Sequence, residues 1–373
     1  MLQKSFVEWV CIFCFVFKLL LTHLLIEHTH THTHTRTRTG VGKASCRWML
    51  TRLNRNYDFS PTYPEVIATL KGRNKQDPDN VHTVEELLKM SARGRSKARI
   101  IALTWLHPHT QAPLLRCAQP LVGGTFRVTP EDDKVMLAIQ AATPGNKSLL
   151  IADCRSYLAA SANMARGGGY ENVNRLQNKV EIDFFDIGNI HLVRKSLNQV
   201  FDSLASKMEP GEKDSSGGFL SEISQSGWLN ILSDILCGAV KVVEALESQI
   251  AVICHCSDGW DRTSQICALS ELMLDPHYRT LEGFATLIEK DWCAFGHKFH
   301  DRCMSLGKEW SPVFIQFLDC VYQIYCQFPR HFEFNVELLV LLADAAYVSF
   351  IFLFLLLVSH SFQLLLAPPL LTH

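Results

Sequence analysis

The chain has 373 residues, 47% of them hydrophobic, with 36 Lys and Arg against 37 Asp and Glu. That size and composition can bury one large core or two, which excludes global disorder, and the charge balance excludes a general nucleic-acid binder. The 13 cysteines are odd in number and scattered; Cys11 and Cys14 lie in an apolar run and read as packing or lipid-facing, so a reducing compartment is the simpler reading and no zinc site is expected.

Along the chain, residues 6–26 are apolar except for Glu8, Lys18 and His23, the pattern of a signal anchor or an imperfect membrane segment. Residues 28–39 alternate Thr with His or Arg, a simple repeat for which metal binding by His28, His30, His32 and His34 is the functional alternative. Residues 131–142, with Val135, Leu137, Ile139 and Ala142 among charges, predict a helix, and residues 148–154 a central strand. Three glycines, Gly167 to Gly169, mark a turn, and Asn189 caps a helix through Val193, Leu197 and Val200. Residues 207–218 read as a solvated loop. Leu229, Leu232, Leu236, Ala239, Val243 and Leu246 then recur at helical spacing, predicting one long amphipathic helix that packs on the sheet.

The residues that carry chemistry follow. Ile250 to Cys254 is an apolar, partly β-branched run that predicts a buried strand, and residues 264–274, with Ile266, Leu269 and Met273, predict a helix. Between them stands His255-Cys256-Ser257-Asp258-Gly259-Trp260-Asp261-Arg262-Thr263. A loop closing onto a helix N-terminus turns backbone N–H groups and the positive end of the helix dipole toward one point, which suits a phosphate dianion and a thiolate. Cys256 is the expected nucleophile and Arg262 the planar fork that holds two phosphate oxygens. In-line attack would form a cysteinyl-phosphate that water then hydrolyses. An alkoxide leaving group needs a proton, and with no separate acid-bearing loop in view the candidates are Asp261, the first choice, and Asp258. Either can instead shape the loop through backbone hydrogen bonds. Farther on, Asp275-Pro276 ends the helix and residues 280–284 open another.

The nonapeptide from His255 to Thr263 resembles the signature loop of the myotubularin family of phosphoinositide phosphatases. The resemblance extends over Asn56 to Pro64, Arg99 to Thr104, Leu115 to Leu121, Asn163 to Glu171, Asn189-Ile190-His191, Lys290-Asp291-Trp292, Phe295 to Arg302 and Ser311 to Asn335. It implies an α/β cysteine-phosphatase fold over residues 54–346, with a mixed central sheet flanked by helices and the active loop between a strand and a helix. It implies a substrate pocket made by Ser257, Asp258, Gly259, Trp260, Asp261 and Arg262 of the loop, with Asn163, Asn189 and Ile190 at the headgroup. Lys298 and Arg302, one helical turn apart, would bind further phosphates; Lys298 keeps the charge but lacks the bidentate fork of the arginine found there in some members. A solvated basic helix face is the alternative for this pair.

The implied activity is removal of the 3-phosphate from phosphatidylinositol 3-phosphate and phosphatidylinositol 3,5-bisphosphate at endosomal membranes, without metal or organic cofactor. A homo- or hetero-oligomer within the family is a further expectation, and no nucleic-acid partner is expected. A catalytically silent scaffold and a phosphotyrosine phosphatase are the alternatives. The loop after Cys303 is short for the family, and the match is expected to fail over residues 1–53 and 347–373. Leu338 onward is apolar over a length that could span a bilayer, interrupted by Asp344. Chain boundaries drawn in error, or genuine anchors, would account for these flanks.

Overall fold

The buried run that ends at Cys256 is the middle of a five-stranded sheet. In the computed structural model, which describes residues 47–52, 66–71, 93–122, 130–145, 148–175, 179–207, 216–304 and 307–348, β1 (Arg47–Arg52) and β2 (Val66–Lys71) form an antiparallel hairpin. The sheet itself holds β3 (Ala102–Leu106), β4 (Pro113–Ala118), β5 (Leu149–Asp153), β6 (Val180–Phe184) and β7 (Ala251–Cys256) in the order β3-β4-β7-β5-β6. β3 runs antiparallel to β4, and the other pairings are parallel, so the sheet is mixed, as expected. The residues 6–26, the repeat 28–39, the segment 56–64 and the tail beyond 348 lie outside the described residues.

β7 reads as a continuous apolar run because both of its faces are covered. Ala251 and Ile253 meet Val135, Met136 and Ile139 of α1 (Pro130–Ala142) on one face. On the other, Val252, Cys254 and Cys256 join the larger core with α3 (Ile190–Lys207), α4 (Ser216–Gln225), α5 (Trp228–Glu247), α6 (Arg262–Leu274), α7 (Leu281–Ile288), α8 (Val313–Gln327) and α9 (Val336–Val348), while α2 (Tyr157–Met164) follows β5. α6 is buried at every position from Thr263 to Leu274. Its polar residues are therefore paired: Gln265 donates to the Val313 carbonyl and to Gln316 at 3.1 Å, and Ser270 to the Ile266 carbonyl at 2.8 Å.

One buried ionic cluster lies beneath the site. Thr104 Oγ1 stands 2.9 Å from Glu271 Oε1, 2.8 Å from Asp291 Oδ1 and 2.7 Å from Lys290 Nζ. A hydroxyl has one proton and can satisfy one of those carboxylates only, so the other contact needs a protonated carboxyl. Glu271 is that group: burial, with the Asp291 charge, pushes its pKa up to about 8 against the pull of Lys290. The unfolded carboxyl ionises near ~4.3. Between those values the unfolded chain has released a proton that the folded chain retains, so the contribution is full below the lower value and lost as pH rises toward the upper one. Glu271→Gln, which keeps a donor for Thr104 and an acceptor for Lys290, is expected to fold and to flatten the fall in melting temperature between about pH 5 and 8. An unchanged slope in a thermal melt series would assign the proton elsewhere.

The described part of the run from Leu338, through Val348, is a core helix: α9 buries Leu338, Leu339, Leu342, Ala345 and Ala346 and turns Asp344 outward, and the rest of that run lies outside the described residues. No described helix is long and apolar enough to cross a membrane. The expected loop 207–218 is shorter at both ends, since Lys207 closes α3 and Ser216 opens α4, where Ile223 packs on the core.

Candidate active site

β7 ends at Cys256 and α6 begins at Arg262, which leaves Ser257 to Asp261 to turn between them. The turn needs glycine at position 259: its φ is +79°, and a Cβ there would lie 2.2 Å from the Cys117 carbonyl oxygen. The consequence is a backbone N–H facing the sulfur, with Gly259 N donating to Cys256 Sγ over 3.3 Å. The loop is braced from β4. Gln119 N donates to the Ser257 carbonyl at 3.1 Å, and Arg116 donates to the Gly259 carbonyl at 2.9 Å and to Ser264 Oγ at 2.8 Å. Arg116 is itself fixed by Asp291 at 2.7 Å and by the Phe295 ring, whose centroid is 4.1 Å from its guanidinium carbon.

Burial by itself raises a thiol, but the charge of Arg262, the neighbouring Thr263 hydroxyl and the Gly259 N–H outweigh burial and the opposing charge of Asp261, so Cys256 sits below its ordinary pKa. Its buried neighbours behave oppositely, and burial pushes the Cys117, Cys154 and Cys254 thiols up. Arg262 is held by a hydrogen bond from NH1 to the Ile187 carbonyl at 3.2 Å.

The two candidate acids differ. Asp258 Oδ1 accepts the Ser96 hydroxyl at 2.8 Å. Asp261 is nearly buried, 3.1 Å from His297 Nδ1 and 2.9 Å from Arg302 NH2. Burial raises the Asp261 pKa, yet the His297 hydrogen bond and the His297 and Arg302 charges outweigh it and hold this carboxyl well below the usual carboxylate range. Arg302 does not stand open to the pocket: Asp261 takes its Nε and NH2, while the Glu309 carbonyl accepts NH1 at 3.0 Å and the Glu309 carboxylate at 3.3 Å. Of the two cations expected to face the pocket, Arg302 is thus engaged by Asp261 and Glu309. The short loop after Cys303 brings Glu309 back onto Arg302, whereas Lys298 is exposed, 4.7 Å from the Trp260 ring centroid and 3.3 Å from Asp301.

Of the headgroup candidates, Asn163 reaches the loop, its Nδ2 3.5 Å from Ser257 Oγ. Asn189 caps α3, accepting the N–H groups of His191 and Leu192 at 3.0 and 3.1 Å. Ile190 is half-buried, and its carbonyl accepts Ser311 Oγ at 2.9 Å. Both follow closely in sequence after Ile187, whose carbonyl accepts Arg262. The glycine segment is fixed by Arg155, which donates to the Gly169 carbonyl at 2.7 Å and to Gln119, and is itself paired with Asp153.

Several site residues escape sequence reasoning. Arg99 is 5% exposed, and burial with nearby Arg116 lowers its pKa to about 10, opposed by Cys256 and Asp258; it remains a cation beside the sulfur. His255, behind the nucleophile, pairs with Glu171 at 3.0 Å, and Glu171 with Arg95 at 2.9 Å. Burial lowers the His255 pKa, but Glu171 and Asp153 raise it further, so the ring is held above its ordinary value. Among the described residues, no group of three or more His, Cys, Asp or Glu side chains is arranged to hold a metal ion.

A profile of the myotubularin-like phosphatase domain matches residues 21–357, a wider stretch than the 54–346 expected from motifs. Myotubularin of Xenopus laevis is 38% identical over 312 residues, covering 82% of this chain and 49% of that protein. Phosphatidylinositol-3,5-bisphosphate 3-phosphatase MTMR2 of Gallus gallus is 39% identical over 306 residues, 80% of this chain and 51% of that one. Phosphatidylinositol-3,5-bisphosphate 3-phosphatase MTMR8 of the same species is 40% identical over 304 residues, 80% and 46%. The chain thus spans about half the length of the curated relatives it matches.

Proposed function

The chain belongs to the myotubularin-like phosphatase family, and from that premise we propose that it hydrolyses the 3-phosphate of phosphoinositides through a cysteinyl-phosphate, on a cysteine-phosphatase fold occupying residues 54–346. The observation that carries this reading is the geometry of the loop: the Cys256 sulfur at the end of a buried strand is faced by the Gly259 N–H and followed one loop later by Arg262 at the head of a buried helix. The thiolate attacks phosphorus, the P–O bond to inositol breaks, and Arg262 with the loop N–H groups takes the charge that develops on the phosphoryl oxygens. Water then attacks the cysteinyl-phosphate and releases inorganic phosphate. The substrate lies in a bilayer, and the cytoplasmic face of endosomal membranes is the location that goes with it.

Asp261 is the acid in this reading, and its ion pair with Arg302 sets a condition on it. A phosphate dianion arriving beside the loop repels the carboxylate and competes for the nearby cations, so the carboxyl takes up its proton on substrate binding. Asp261→Asn is expected to slow phosphoinositide hydrolysis by about 10²–10³-fold, and an aryl phosphate, whose leaving group is stable as an anion, far less. Equal losses on both substrates, with Asp258→Asn alone separating them, would transfer the role to Asp258. The activity itself is tested by phosphate release from a panel of phosphoinositides and a phosphotyrosine peptide. Release from 3-phosphorylated lipids supports the proposal; release from the peptide alone makes the chain a protein phosphatase, and none at all makes it a silent scaffold.

A further inference from the structure

The parallel strands β5, β6 and β7 end at one edge of the sheet, where the catalytic loop lies, and α2 and α3 begin there a few residues after β5 and β6. Large apolar side chains are exposed at that edge. Tyr157, Leu158 and Leu192 are 55%, 78% and 49% exposed, at the first turns of α2 and α3. Leu192 covers Gly188, next to the Ile187 carbonyl that receives Arg262, so it stands on the rim of the pocket. Leu158 shares its helix with Asn163, which touches the loop through Ser257. Among the described residues, the other two exposed large apolar side chains, Leu137 and Phe201, stand apart, in the middle of α1 and about 16 Å along α3 from Ile190.

The apolar rim is rigid and flanked by charge. Tyr157 packs edge-on against Phe184 at 5.5 Å and against Tyr170 at 5.7 Å, so Leu158 projects from a fixed aromatic base. Arg166 two residues past the end of α2, Lys195 one turn after Leu192, and Lys298 over Trp260 of the catalytic loop are exposed. The acids nearby are Asp301, which pairs with Lys298, Glu309, which pairs with Arg302, and exposed Asp186. Apolar tips ringed by cations match an anionic phospholipid surface, whose acyl boundary takes the first and whose headgroups take the second.

We propose that Tyr157, Leu158 and Leu192, with Arg166, Lys195 and Lys298, form a docking surface for an anionic phospholipid bilayer that sets the catalytic pocket face-down on the lipid plane. The proposal rests on the phosphoinositide reading for its kinetic arm only. In that arm the full chain and its Leu158→Asp/Leu192→Asp variant are compared on phosphatidylinositol 3-phosphate in phosphatidylcholine–phosphatidylserine vesicles and on its water-soluble short-chain analogue. The variant is expected to lose about tenfold or more in kcat/KM on vesicles and to stay within about twofold on the soluble substrate. Leu158→Phe/Leu192→Phe keeps the apolar tips and is expected to retain vesicle turnover. Flotation with vesicles that hold no phosphoinositide reads docking without chemistry, and the aspartate variant should float less than the parent chain. Equal losses on both substrates, or unaltered vesicle turnover and flotation, would overturn the proposal; a parent chain that floats but hydrolyses neither substrate would instead overturn the assigned activity and leave the surface standing.

Discussion

Cys256→Ser is expected to lose turnover on every phosphate ester by on the order of 10⁴-fold or more, the scale on which a missing covalent nucleophile is felt, while soluble phosphoinositide still binds. The Gly259 N–H and the Arg262 charge favour a sulfur anion. A serine hydroxyl ionises too weakly for that field to deprotonate it, and no neighbouring base replaces the lost acidity. The loop itself should survive, because its shape is set by Arg116 and Gln119 rather than by the sulfur. Single-turnover phosphate release together with binding of the soluble substrate would check both halves. Turnover within about tenfold of the parent chain would remove Cys256 from the mechanism.

Arg262→Lys is expected to cost about 10²–10³-fold in kcat, the range seen when one preorganised donor to a developing oxyanion is lost. The hydrogen bond to the Ile187 carbonyl fixes the guanidinium while its geometry suits two phosphate oxygens at once. An ammonium restores the charge but places a single point where a fork was, so kcat should fall more than KM rises. The same variant should also raise the Cys256 pKa if the shorter-range charge is displaced, which iodoacetamide alkylation against pH reads directly. Near-parental kcat would show that the loop N–H groups suffice.

The proposed nucleophile, its arginine and both candidate acids could be named from sequence because the loop that carries them is contiguous. What holds that loop could not. Nothing in the sequence assigned a role to Arg95, Arg99 or Arg116, since a buried cation is recognised only through partners, such as Asp132 and Glu171 for Arg95 and Asp291 for Arg116, that stand far away in sequence. His297 lay within a matched segment, yet nothing local says that its ring meets Asp261. The apolar residues of α6 named the helix but not the burial of its polar ones, because core surrounds it, and α9 could be taken for the start of a bilayer span because a buried helix and a membrane helix are both apolar over much of their circumference. Asn189 was open to two readings, and the geometry fills the capping role.

The braces of the loop also order events in time. Ser96 meets Asp258 across 162 residues, Arg116 meets Gly259 across 143, Arg99 meets the Phe295 carbonyl across 196, and Arg302 meets Asp261 across 41. Closing such distances costs chain entropy that helices do not face, so the central helices can form while the loop still lacks its shape. Catalytic competence therefore arrives with the last long-range contacts during synthesis and folding. A nascent chain that has made its whole signature loop, but not yet the segment through Arg302, has the braces from Arg116, Gln119 and Ile187 in hand while Asp261 still lacks its His297 and Arg302 partners.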